Sequence, residues 1–112
     1  MHLDDPVRLR HMVDAAVEAQ LFVADKSRSD LDLDRMRSLA LIRCIEVIGE
    51  AANGISEELR VIHTEIPWGQ IVAMRNRLIH GYFDIDLDRL WDTVTVDLPL
   101  LITQIKPLVE SI

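Results

Sequence analysis

At 112 residues the chain is long enough for one domain with a real core and too short for two. Ala, Leu, Ile and Val dominate, aromatic residues make up 4%, and Gly and Pro number four each, which is a helical composition; the single cysteine, Cys44, excludes an internal disulfide. The net charge of −7 argues against a broad, sequence-independent nucleic-acid surface, because such binding rests on Lys and Arg neutralising phosphates, so any phosphate site has to be local.

Asp5 followed by Pro6 predicts a helix start, with the acid as N-cap and the proline at the first helical position. Val13, Val17, Leu21 and Ala24 then form one apolar stripe, which carries the first helix to about residue 26. Residues 26–30 are polar and read as a loop. The following DLDLD, residues 30–34, alternates like a strand but runs straight into a long helical pattern, so it is assigned to a helix start. That second helix carries Leu41, Ile45, Ile48, Ala52 and Ile55 in one row with Ala40, Cys44, Val47 and Ala51 beside it, a stripe wide enough to imply contacts on more than one side. Gly49 within it is expected to admit the close crossing of another helix. Cys44 reads as a buried free thiol in a reducing compartment. Glu46 and Glu50, four apart, read as structural ion-pair partners, with Arg43 a candidate cation, rather than as an acid–base or metal pair. Asn53-Gly54 ends the helix.

Ser56 with Glu57 and Glu58 opens a short third helix that His63 closes as a surface residue. Ile66, preceding Pro67, is expected to be extended. A fourth helix then runs from Pro67 and Trp68 through Ile71, Met74 and Leu78 to a stop at Gly81. The last begins near Asp86 and continues through Leu87, Leu90, Trp91, Val94, Leu98, Leu101, Ile105 and Leu108, with Pro99 kinking rather than ending it. DLDLDRM at 30–36 is echoed by DIDLDRL at 84–90; the match is too short for a duplication, and both segments are read as solving the same helix-start problem. The two-residue spacing of Asp84, Asp86 and Asp88 raises a metal question, but the Gly and closing Glu of a calcium loop are missing, so N-capping is favoured and no metal is assigned. No apolar run approaches the roughly 20 residues of a membrane helix, and Asp4 and Asp5 do not fit the basic start of a signal peptide. A cytoplasmic protein is expected.

The densest chemistry lies in RNRLIHGY, residues 75–82, which gathers guanidinium, amide, imidazole and phenol groups. On a continuous helix Asn76 and His80 would share a face, with Arg77 on the same side and Arg75 turned toward the apolar stripe. His80 would then sit in the last turn, where the macrodipole favours the imidazolium form and suits proton transfer near neutral pH. A His beside a helix-ending Gly equally fits a residue bonding the last carbonyls.

The stretch PWGQIVAMRNRLIHGYFDIDLDRLWDTVTVDLP, residues 67–99, resembles the HepT family, a branch of the HEPN superfamily of small helical ribonucleases, and RCIEVIGEAA, residues 43–52, resembles that family's second helix. The HEPN signature is an Arg, four to six residues, then His, commonly with Asn directly after the Arg; Arg75, Asn76 and His80 satisfy it, and Tyr82 matches the tyrosine that the HepT version adds two residues after the His. With this resemblance the fold class expected is an all-α, up-and-down helical bundle of four main helices plus one short helix, a single HEPN-like domain over residues 1–112. The resemblance implies a metal-independent RNA endonuclease that needs no cofactor and acts as the toxin of a type VII-like toxin–antitoxin module, paired with a MntA-like nucleotidyltransferase antitoxin. It further implies a homodimer whose two motifs line one cleft, and AMPylation of Tyr82 by the partner. In that scheme His80 transfers protons, Arg75 stabilises charge on the phosphate and Asn76 orients the phosphate or His80; an additional phosphate contact from Arg77 follows from its helical face. Two other readings stand beside it. A non-catalytic nucleotide-binding or partner-binding domain is favoured by the acidic net charge, and a purely structural dimeric bundle by the wide apolar stripe of the second helix.

Overall fold

The computed structural model describes residues 4–81 and 83–111. Two helices of 19 residues, α1 (Asp5–Val23) and α3 (Arg35–Asn53), pack against each other and against a long C-terminal helix, and together they enclose the core. The C-terminal helix is continuous from Leu87 to Glu110 but has three parts: α6 (Leu87–Asp92), a π-helical turn (Thr93–Asp97) and α7 (Leu98–Glu110). Three short helices link these rods: α2 (Asp30–Leu33), α4 (Glu57–Ile62) and α5 (Trp68–Val72). The fold is all-α and HEPN-like, as expected. Among the described residues no helix is long and apolar enough to cross a membrane.

The chain start follows a different cap from the one expected. Asp4 is the N-cap, where its side chain pairs with Arg8 at 3.8 Å and makes no capping hydrogen bond, and Asp5 lies inside the first turn, where it is fully buried. Its carboxylate accepts hydrogen bonds from Ser56 N–H at 2.9 Å and from the Ser56 hydroxyl at 2.5 Å, which ties the start of α1 to the turn between α3 and α4. The buried face of α1 consequently runs through Leu9, Met12, Ala16 and Ala19, while Val17 and Leu21 of the anticipated stripe are 40% and 69% exposed. A polar anchor at one end and the need for small residues at a close helix contact set the rotation of α1; the bulkier apolar row did not.

The α3 stripe is as wide as its sequence implied, with Leu41, Cys44, Ile45, Ile48, Ala51 and Ala52 all buried and both α1 and α5 packed on the helix. Gly49 makes the crossing with α5. A Cβ there would lie 3.3 Å from Val72 O and 3.6 Å from Ile71 O, backbone atoms with little room to withdraw. Gly49→Val is therefore expected to destabilise the fold by about 1–3 kcal/mol through overpacking, read as a lower urea midpoint at unchanged slope; an unchanged midpoint would mean that α5 is free to move off. Arg60 donates to Ala52 O in the last turn of α3 at 2.6 Å and to Ile55 O just beyond it at 3.2 Å, and the Phe22 carbonyl near the end of α1 receives a bond from Arg37.

Both echoed acidic segments start helices, but with different aspartates. Asp34 caps α3 by accepting Arg37 N–H at 3.1 Å, whereas Asp86, one repeat position earlier, caps α6 by accepting Arg89 N–H at 3.0 Å. Asp88 is thereby released to pair with Arg28 at 2.7 Å, and Arg28 also reaches Asp32 at 3.2 Å, so one guanidinium joins the two segments. Pro99 does not interrupt the last helix. The wider π turn immediately before it takes up the ring that would otherwise crowd the preceding carbonyls, and the helix resumes on the same apolar face, with Val94, Leu98, Leu101 and Ile105 buried.

Candidate active site

The segment after α5 departs most from expectation. A helix from Pro67 to Gly81 is not what forms: α5 ends at Val72, and the chain tightens into i→i+3 bonding, with Met74 N–H to Ile71 O at 3.2 Å, Asn76 N–H to Ala73 O at 3.1 Å and Leu78 N–H to Arg75 O at 3.0 Å. Arg75–Arg77 is a single 3₁₀ turn. Beyond Leu78 the backbone leaves helical geometry altogether. His80 N–H donates to Asp84 O at 2.7 Å and Asp86 N–H to Leu78 O at 2.7 Å, flanking an antiparallel bridge between Ile79 and Ile85. Gly81 lies within this turn at φ +85°, a left-handed conformation in which a side chain would be strained, so it serves a tight reversal and not a helix cap.

The apolar side of the segment is as the sequence indicated, with Ile71, Met74 and Leu78 all buried. Each anchoring side chain stabilises the segment by about 1.5–3 kcal/mol. Arg75, Asn76, Arg77 and His80 project outward from that anchor and are exposed, but they do not share one helical face. Among the described residues no side-chain hydrogen bond joins Arg75 or Asn76 to His80. Tyr82, the expected modification site, lies outside the described residues.

Arg75 leans back over the bundle, where its Nε lies 3.6 Å from Glu46 Oε2 on α3. Glu46 is thus an ion-pair residue, as expected, but its cation is Arg75; Arg43 reaches Glu50 instead, at 4.0 Å. Arg77 lines a surface cleft with Asp88, Arg89, Asp92 and Asp97, a largely acidic setting. His80 does not sit at the end of a helix, so the macrodipole argument does not apply to it. Its Nε2 lies 3.3 Å from Asp86 Oδ2. Asp86 is held below the usual carboxylate range, first by the backbone N–H of Arg89 and then by His80.

Asp86 and Glu46 are the site neighbours that the sequence reading did not assign. The aspartate spacing identifies Asp86 as an N-cap, but the contact of its second oxygen leaves no mark in a helical pattern. Helical spacing pairs Glu46 with residues of its own helix, whereas its partner Arg75 arrives from another element. Among the described residues no group of three His, Cys, Asp or Glu side chains is placed to hold a metal ion. Cys44 lies apart, buried and bonded to Glu18 at 3.6 Å; burial above all, and then Glu18, push its thiol up to about 11, which makes it a poor nucleophile.

Residues 12–108 match the family described as Ribonuclease HepT-like. The chain is 37% identical over 93 residues to the "Probable ribonuclease HepT" of Thermococcus cleftensis, covering 83% of this chain and 84% of that protein. It is 34% identical over 85 residues, 76% of each chain, to a protein of Caldanaerobacter subterraneus subsp. tengcongensis whose name assigns it provisionally as an RNase. No solved structure gives a significant match. The chain belongs to the HepT-like ribonuclease family.

Proposed function

We propose that this protein is an endoribonuclease that cuts RNA without a metal ion. The observation that carries the reading is the outward-facing Arg75–His80 segment, anchored by Leu78, in a chain whose residues 12–108 match a ribonuclease family. In the proposed reaction the ribose 2′-oxygen attacks the adjacent phosphorus, its proton passes to a base, the P–O5′ bond breaks, and the departing 5′-oxygen takes up a proton, leaving a 2′,3′-cyclic phosphate. His80 transfers protons, Arg75 offsets the charge that builds on the phosphate, and Asn76 orients the phosphate or the imidazole. Arg77 supplies an outer phosphate contact. One imidazole does not readily serve as both base and acid, so the reading includes a two-fold homodimer that brings a second His80 to a shared cleft. The test is incubation of purified protein with RNA in excess chelator: cyclic-phosphate ends are expected, and intact RNA would overturn the reading. Light scattering that shows a monomer at micromolar concentration would remove the shared cleft.

The fuller proposal is a cytoplasmic toxin–antitoxin pair in which a MntA-like nucleotidyltransferase AMPylates Tyr82. An AMP group two residues beyond His80 would place a phosphate and a bulky nucleoside beside the cations that an RNA phosphate needs, so inhibition requires no change of fold. Intact-mass spectrometry after incubation with the partner, ATP and magnesium should record whole AMP increments on the parent protein and none on Tyr82→Phe; equal modification of both would exclude Tyr82 as the acceptor. The second reading, a non-catalytic nucleotide- or partner-binding domain, draws support from the ion pair that already engages Arg75 and from the acidic cleft around Arg77.

A further inference from the structure

We infer that Asp86 is the positioning residue of His80: one carboxylate divides its two oxygens between starting α6 and fixing the imidazole, and thereby selects the ring nitrogen that transfers the proton. This rests on the ribonuclease reading of the same site and extends it to a residue outside the signature. Three bonds fix Asp86. Its N–H donates to Leu78 O at 2.7 Å, its Oδ1 accepts Arg89 N–H at 3.0 Å, and its Oδ2 faces His80 Nε2 at 3.3 Å. The backbone is held on the other side of the turn as well, where His80 N–H donates to Asp84 O at 2.7 Å. Both residues of the pair are therefore anchored through their main chains, and only the side chains remain to be ordered.

The carboxylate is the less exposed member, with 31% of its side chain accessible against 61% for His80, so the imidazole projects outward from a partly sheltered acceptor. An ionised carboxylate has no proton to give. The Nε2 that faces it must be the protonated nitrogen, in the neutral ring as well as in the imidazolium, which leaves Nδ1 to take and return the proton at the RNA. Without this contact an exposed His on a turn samples several rotamers and both tautomers, and the productive arrangement is a fraction of them. A fixed carboxylate partner raises that fraction without touching the substrate.

The capping and positioning roles are separable because Asn and Ser start a helix as well as Asp does. Asp86→Asn and Asp86→Ser should keep the unfolding midpoint of the parent and its KM, while kcat falls about 10- to 100-fold. In a His80→Ala background Asp86→Asn should cause no further loss, since a residue that acts through His80 has nothing left to act on. A second readout needs no activity: in His80→Ala the ¹³Cγ titration of Asp86 should move toward the usual carboxylate range, because one of the groups that depress it has gone. Losses that multiply in the double variant would overturn the inference, as would an unmoved Asp86 titration, even if the parent protein cuts RNA. A parent that cuts no RNA removes the ribonuclease reading and this catalytic role with it.

Discussion

His80→Ala should cut RNA about 100- to 10,000-fold more slowly than the parent protein, the range usually lost with a group that transfers protons in the transition state. The loss is expected in kcat with KM little changed, because the ring projects from an exposed turn and makes no packing contribution to the core. For the same reason the variant should unfold at the same urea concentration as the parent. Unequal stability would point to a structural role in the turn, and equal activity would show that the cleavage comes from another protein in the preparation.

Arg75→Ala should slow cleavage about 100- to 1,000-fold, the scale on which removal of one preorganised charge donor is felt. The guanidinium is not idle in the absence of RNA, since Glu46 lies 3.6 Å away. That pair is partly exposed, with 46% of the arginine and 29% of the glutamate side chain accessible, so it holds less than about 1 kcal/mol and yields readily to a phosphate. Glu46→Gln should accordingly lower KM for RNA severalfold and leave kcat near that of the parent, the reverse of the arginine variant. A raised KM in Glu46→Gln would instead mean that the glutamate aims Arg75 at the substrate. Both outcomes are read from initial rates at varied RNA concentration, in low salt where the competition is strongest.

The helical class, the α3 stripe, the Gly49 crossing and the apolar side of the segment at 71–78 were all legible in the sequence, because burial imposes its period on the apolar residues directly. The geometry of the site was less so, for an identifiable reason. Ile71, Met74 and Leu78 are spaced as a helix requires, yet a chain that tightens into a 3₁₀ turn also buries them, so the apolar row fixes one side of the segment without fixing the path of the other. What decides that path is the bridge between Ile79 and Ile85, formed by residues on either side of the turn, and Gly81 signalled an end without saying which kind. The same blindness to non-local partners explains Glu46 and Asp5. Each was read against its own helix, while its main partner, Arg75 or Ser56, lies 29 or 51 positions away.

The non-helical path between Arg75 and His80 bears on the spacing of the signature itself, which allows four to six residues before the His. On a continuous α-helix each inserted residue would swing the His by about 100° around the axis, and two would carry it to the far side of the rod. Here the arginine hangs from a 3₁₀ turn anchored by Met74 and Leu78, and the histidine from a hairpin-like reversal closed at its base. Leu78 is common to both anchors, since it is buried beneath the 3₁₀ turn and its carbonyl accepts Asp86 N–H at the base of the reversal. The proposed catalytic pair is thus specified by where that shared anchor meets the core, and not by helical phase.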